Sequence, residues 1–304
     1  MTPPFIPFAE GEALLDWAAL GDAFRDGHTR PKASIEDSFL YRGDDTVLSR
    51  AAWIDGMGQL VKTATIFPGN PVHGLSSING AVTLFSDQTG VLDAVIDFHL
   101  VTKWKTAGDS VFAAKQLARP DSKNILIIGA GTVAHSLREA YGALFPEAHF
   151  TVWNRTPAGA ERLAAAYPKV SLATDLETAV QAADIVTSAT MSMQPILRGH
   201  WLQPGQHIDL IGAYRPDMRE ADDACLNRAR IFVDSFDTTL KHIGEIKIPL
   251  EAKTITQIDV LADYYQPDRF KRLNDDEITL FKNGGGAHLD LMTSRYILEA
   301  WRAR

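Results

Sequence analysis

One cysteine is all that the 304 residues contain, and a single thiol closes no intrachain disulfide and builds no cysteine-rich zinc site. That fits a reducing compartment, and Cys225 reads as an inert residue. The nine histidines show no H-E-x-x-H or comparable ligand spacing, so no metal is expected. Basic blocks are missing too. With a net charge of −8, neither nucleic acid nor an anionic membrane surface is an expected partner. No apolar run approaches the ~20 residues that cross a bilayer. The opening stretch Met1–Phe8 lacks the charged region and apolar core of a secretory signal, and a cytoplasmic location is the expectation. There is no internal repeat and no low-complexity tract.

What remains is an ordinary globular composition, 45% hydrophobic and 22% charged, in a chain long enough for about two domains. Ala13, Leu14, Trp17, Ala18, Leu20 and Phe24 give a helical apolar face over 11–27. Short apolar runs follow at 38–41, 46–49, 51–54, 61–67, 81–86 and 91–97, separated by turn clusters, and the pattern predicts a strand-rich region. A helix is expected over 102–117. Strands and helices then alternate: a helix at 157–167, a strand at 170–172, a helix at 175–182, and strands at 184–188, 207–211 and 230–234. That alternation predicts a parallel sheet with helices on both faces. Three glycines at 284–286 lead into a strongly helical tail, in which Asp290 reads as a helix cap.

The stretch Asn124-Ile-Leu-Ile-Ile-Gly129-Ala130-Gly131-Thr132-Val133-Ala134 runs a buried-type strand into a glycine turn and then a helix. This is the G-x-G-x-x-A pattern: two glycines for a tight turn and close approach to a pyrophosphate, and a small third residue where helix meets strand. Gly129, Ala130, Gly131, Thr132, Val133 and Ala134 are therefore candidate cofactor-binding residues. The competing explanation is a structural glycine turn. The next strand ends in Asn154-Arg155-Thr156, where an acid would grip a ribose 2′-hydroxyl. Asn and Thr can hydrogen-bond a 2′-phosphate and Arg can pair with it, which favours NADPH, with NADH as the alternative. The same residues also suit a turn that caps the next helix, with Thr156 as N-cap and Pro157 at the first helical position.

Taken together these residues resemble the ornithine cyclodeaminase/mu-crystallin family, from about residue 30 to the end. The resemblance is carried by Val61-Lys62-Thr63 with Phe67-Pro-Gly-Asn-Pro71, and by Gly74-Leu-Ser-Ser77-Ile-Asn-Gly80. The glycine turn, Trp153–Thr156 and Thr187-Ser-Ala-Thr190 add to it, as do Gly212–Glu220 and Asp276–Lys282. It implies an α/β protein in two domains. One is a Rossmann-type dinucleotide-binding domain over 118–285. The other is an α+β substrate and dimerisation domain, formed by 1–117 with the C-terminal helix at 286–304. It further implies a homodimer that acts on amino acids or cyclic imino acids by nicotinamide-dependent hydride transfer, with the active site between the domains. Ser188, Ala189 and Thr190 would lie beside the nicotinamide, with Thr106 and Gly212 also at the cofactor. Lys62, Ser77 and Lys105 would meet the substrate.

Two departures narrow the substrate. Cyclodeaminases of the family carry an aspartate where this chain has Tyr214, a poor base at neutral pH. Lys105 stands where members usually have an arginine that grips a carboxylate; the charge is kept and the bidentate fork lost. The run Lys103-Trp-Lys-Thr-Ala-Gly108 resembles the branch that reduces Δ1-pyrroline-2-carboxylate to L-proline. The six-membered Δ1-piperideine-2-carboxylate is a second candidate substrate, and hydroxyproline or lysine breakdown the implied setting. In such a reaction Lys62 and Lys105 would anchor the carboxylate. Lys62, or a water it holds, would keep the imine protonated, its pKa lowered by the neighbouring cation. The alternatives are an ornithine cyclodeaminase, an alanine dehydrogenase, or a binding protein that holds NADPH and a small ligand without turnover.

Overall fold

The computed structural model describes residues 2–304. The chain divides into two compact units, one running to Lys105 and resuming over Gly285–Arg304, the other spanning Thr106–Gly284. The sequence places the first boundary after residue 117, at the end of a helix. The structure divides inside that helix, Phe98–Leu117, because its second half bonds into the second unit. There Ser110 donates to Asp209, and Asp109 accepts from the Tyr264 hydroxyl. The helix starts at Phe98 rather than 102, since the Asp97 carboxylate accepts the N–H groups of His99 at 2.8 Å and Leu100 at 3.0 Å.

In the first unit, strands β1 (Phe5–Ile6), β2 (Ser34–Arg42), β3 (Asp45–Ile54), β4 (Gly58–Ile66), β5 (Ile78–Phe85) and β6 (Leu92–Asp97) form one sheet in the order β1-β6-β5-β4-β3-β2. All pairings are antiparallel except β1 with β6. The expected hairpin across Asp87–Gly90 joins β5 to β6. The two short runs at 46–49 and 51–54 are a single strand. Arg50, which breaks the apolar pattern, stays in the ladder because its guanidinium is paired with Asp37 on β2. The single helix expected over 11–27 is two, Phe8–Glu12 and Trp17–Gly27, divided where Asp16 accepts from Ala18 and Ala19 N–H, both at 2.9 Å. The C-terminal helix Ala287–Arg302 packs on β3, β4, β5 and helix Trp17–Gly27. Its buried residues include Leu289, Leu291, Met292 and Ile297.

The second unit is a doubly wound α/β domain. Strands β7 (Asn124–Ile128), β8 (His149–Trp153), β9 (Val170–Leu172), β10 (Ile185–Ser188), β11 (His207–Leu210), β12 (Ala229–Val233), β13 (Val260–Ala262) and β14 (Ile278–Lys282) lie in the order β13-β12-β14-β11-β10-β7-β8-β9. Every pairing is parallel. The buried positions of β7, β10, β11, β12 and β14 are mainly Ile, Leu, Val and Phe, as a sheet covered on both faces requires, with buried polar residues such as Thr187, Asp209 and Lys282 among them. β13 and β14 were not expected from periodicity. β14 inserts between β11 and β12, so a five-residue run just before the triple glycine completes the middle of the sheet. The order reverses between β7 and β10, the switch point at which open α/β sheets bind ligands. No helix of the described residues is long and apolar enough to cross a membrane.

Candidate active site

The switch-point crevice is shaped by the turn after β7. Gly129 adopts φ +110°, a conformation that favours glycine, and a Cβ there would come within 2.8 Å of the Ala189 carbonyl oxygen. The turn is pinned on both sides: Gly129 N–H donates to Trp153 O at the end of β8, and Ala189 N–H to Ile128 O, both at 2.9 Å. Gly131 is the N-cap of helix Thr132–Leu144, and no side chain caps that end. Nothing lies within 4 Å of the Cβ position on Gly131, so the space above the helix N-terminus is open. Ala130 and Val133 are half-buried, Thr132 is exposed and Ala134 fully buried. A tight glycine turn, free N–H groups and open space above them fit a dinucleotide pyrophosphate.

At the end of β8, Asn154 is turned back on its own loop, its Nδ2 donating to Thr156 O at 2.8 Å. Thr156 is the N-cap of helix Pro157–Ala166, as expected, but its hydroxyl makes no capping bond. Arg155 and Thr156 are exposed, and among the described residues the Arg155 guanidinium has no partner. On the other side of the crevice, the hydroxyls of Ser188 and Thr190 donate to the buried carboxylate of Glu220, which also accepts the Gly212 N–H. Thr106 holds the second unit's helix start to the chain after β14, its carbonyl accepting from Asn283 Nδ2 at 3.0 Å.

The first unit carries a buried cluster of charge. Along β4 the residues Leu60, Lys62 and Ala64 face inward, so Lys62 occupies a core position. Its Nζ donates to Asp290 Oδ1 at 2.8 Å and lies 4.8 Å from the centre of the Phe98 ring. Directly across the ladder is Arg50. Its fork reaches Asp37 at 2.7 and 3.1 Å, and its third nitrogen donates to Gly285 O at 3.0 Å, with Asp290 Oδ2 4.0 Å away. Lys105, also buried, donates to the same Gly285 carbonyl at 3.0 Å and makes no ion pair among the described residues. Among the described residues, three cations, Lys62, Arg50 and Lys105, thus gather around Asp290 and the Gly285 carbonyl, with Asp37 on Arg50 as a second carboxylate.

Burial pushes the Lys62 ammonium down to about 8, with Lys105 and Arg50 acting in the same direction and Asp290 against them. Burial alone would raise Asp290; Lys62, Lys105 and Arg50 outweigh it and hold the carboxyl below its ordinary range. His288, two residues before Asp290 on the same helix, is brought down to about 3 by burial and by Lys105, so it is neutral at physiological pH.

The structure brings Lys62 and Lys105 into one cluster but not Ser77. That residue is half-buried at the turn before β5, its carbonyl accepting from Phe67 N–H at 2.7 Å, and its hydroxyl meets neither lysine. Arg50 and Asp290 were missed. Asp290 is no cap: the N-cap of the last helix is Gly286, and the aspartate lies fully buried in the helix as the counter-ion of Lys62. A lysine in an inward strand position was the available signal, since a buried ammonium demands an acid partner.

Fold and site define a Rossmann-type α/β protein with an appended antiparallel-sheet domain that carries a buried cationic cluster. The chain belongs to the ornithine cyclodeaminase/mu-crystallin family, whose model matches residues 54–304. It is 48% identical over 303 residues to the Δ1-pyrroline-2-carboxylate reductase of Paracoccus denitrificans, covering 97% of this chain and 96% of that protein. Among solved structures, an archaeal alanine dehydrogenase dimer with bound NAD is 26% identical, covers 100% of this chain and 97% of its own, and superposes with a TM-score of 0.90. The Δ1-pyrroline-2-carboxylate reductase of Thermococcus litoralis, in complex with NADH and L-proline, shares the fold at 24% identity and a TM-score of 0.90, over 98% of this chain and 97% of that one.

Asp290 is the group that supports the charged form of Lys62. Asp290→Asn is therefore expected to move the Lys62 titration below about 8. A pH titration of labelled lysine signals by NMR would measure it. An unmoved Lys62 pKa would mean that the pair does not govern its charge.

Proposed function

We propose that this chain reduces Δ1-pyrroline-2-carboxylate to L-proline with NADPH, the six-membered imine being a second substrate. The carrying observation is the gathering of Lys62, Lys105 and Arg50 at one buried place, a cationic cluster that suits a substrate carboxylate. The 48% relative supports the substrate. A bound nicotinamide supplies a hydride to the imine carbon. Lys105 and Arg50 hold the carboxylate and so orient the ring, a contribution worth several kcal/mol in reactions of this kind. Lys62 gives the imine nitrogen its proton, directly or through a water. Its lowered pKa makes it a better donor than an ordinary lysine. Tyr214, exposed and without the basicity of a carboxylate, does not serve the ring closure and ammonia loss of a cyclodeaminase. Ser77 is retained as a lesser contact to the carboxylate.

In the cofactor domain, the backbone over Gly129–Ala134 receives the pyrophosphate. Arg155 and Thr156, free on the surface, read the 2′-phosphate with Asn154. Thr106, Ser188, Ala189, Thr190 and Gly212 shape the remaining wall. The exposed apolar side chains Phe39, Leu40, Tyr41 and Trp53 on β2 and β3 support a homodimer through this sheet.

Purified protein is expected to oxidise NADPH rapidly with Δ1-pyrroline-2-carboxylate and to release no ammonia from ornithine. No oxidation with the imine, or ammonia from ornithine, would contradict the reading. Turnover should fall as pH rises through about 8, where Lys62 loses its proton. Lys62→Met should remove that limb and lower kcat by about 100-fold; near-normal turnover at saturating imine would end the proton-donor role. Arg155→Ala should raise the KM for NADPH about 10-fold and leave that for NADH almost unchanged, whereas an equal effect on both would show that Arg155 does not read the 2′-phosphate. Light scattering should give the mass of two chains, and a single-chain mass at micromolar concentration would rule out the dimer.

A further inference from the structure

The turns after β10 and β11 converge on one carboxylate. Glu220 is fully buried. Its Oε1 accepts from Ser188 Oγ, Thr190 N and Thr190 Oγ1, each at 2.7 Å. Its Oε2 accepts from Gly212 N at 2.6 Å and Ala213 N at 3.3 Å. The residue itself is tied down. Its carbonyl takes the N–H groups of Ile196 and Leu197, both at 2.9 Å, and its own N–H donates to the buried Glu245 at 2.6 Å. Beside it, the buried Lys282 ammonium donates to Leu210 O at 2.9 Å and Ile211 O at 3.3 Å, the carbonyls just before Gly212. The two turns are packed to backbone contact: a Cβ on Gly212 would overlap the Thr190 carbonyl oxygen.

Three backbone N–H groups and two hydroxyls meet the Glu220 carboxylate, and its ionised form can accept from all five. A glutamine fails whichever way it turns, because its NH2 then faces either the Thr190 N–H or the Gly212 and Ala213 N–H groups, which can only donate. The place of this clamp in the sheet gives it a function. A dinucleotide spans the point where strand order reverses, with its pyrophosphate on the turn after β7 and one nucleoside over the end of β8. The other half then lies over β10 and β11, on the two turns that Glu220 joins. Ser188 and Thr190 spend their hydroxyls on Glu220, so this wall presents backbone and small side chains whose placement Glu220 sets.

We propose that Glu220 is the positioning residue of the nicotinamide half of the site, fixing the Ser188–Thr190 and Gly212–Ala213 turns against each other without touching the cofactor. The inference rests on the cofactor part of the proposed function. Binding measured by calorimetry tests it with two ligands: NADPH, and 2′-phospho-ADP-ribose, which lacks the nicotinamide. Glu220→Gln is expected to weaken NADPH about 10-fold and to leave 2′-phospho-ADP-ribose within about 2-fold of wild type. In turnover its kcat should fall about 100-fold, with a smaller change in the KM for the imine. Should Glu220→Gln fail to fold, Ser188→Ala with Thr190→Val removes two of the donors and decides the matter, with the same selective loss at smaller amplitude. Equal weakening of both ligands, or unchanged NADPH binding, would overturn the proposal. Wild-type protein that bound neither ligand would overturn the cofactor reading itself, and this inference with it.

Discussion

A lysine ammonium at a core position of a sheet cannot be left alone. Taking a charge out of water costs several kcal/mol even after relaxation, and only a well-placed counter-ion offsets it. Lys62 faces inward between Leu60 and Ala64, and its partner Asp290 comes from the last helix of the chain, 228 residues away. That pair ties the C-terminal helix to the N-terminal sheet, within a first unit assembled from both ends of the chain. Apolar packing of Leu289, Met292 and Ile297 stabilises the same arrangement beside the Lys62–Asp290 bond.

The same principle recurs in the second unit with the sign reversed. Asp209 is a buried carboxylate that accepts from Ser110, Thr187 and Tyr141, and burial lifts its pKa to about 6. Glu245, lifted to about 7 by burial and then by Glu220, accepts the N–H groups of Glu220 and Ala221. For both acids the folded pKa exceeds the unfolded value. Their contribution to stability is therefore fully present below about pH 4 and is lost as pH rises through about 6 and 7 respectively.

Legibility from sequence followed the range of each interaction. The turn over Gly129–Ala134 is local, and its strand, glycines and helix stand in order, so its place in the crevice was readable. The parallel sheet was readable from alternation, except β14, whose five residues carry no period and whose position between β11 and β12 depends on distant strands. Asp16 splitting the first helix was overlooked because the apolar face runs on across it. Arg50 and Asp290 were hidden because each has a common local explanation, a break between strands and a helix cap, while their real partners lie far along the chain. Glu220 lay within a recognised motif without a role, since its partners at Ser188 and Thr190 precede it by 32 and 30 residues.

The central question is whether a hydride reaches the imine carbon of a substrate whose carboxylate is held by Lys105 and Arg50 and whose nitrogen faces Lys62. The most direct measurement is a single turnover of Δ1-pyrroline-2-carboxylate with NADPH deuterated at the transferring position, analysed by mass spectrometry and NMR of the product. The account predicts L-proline carrying one deuterium on its α-carbon. Proline without deuterium there, or no proline at all from protein that binds NADPH, would contradict it.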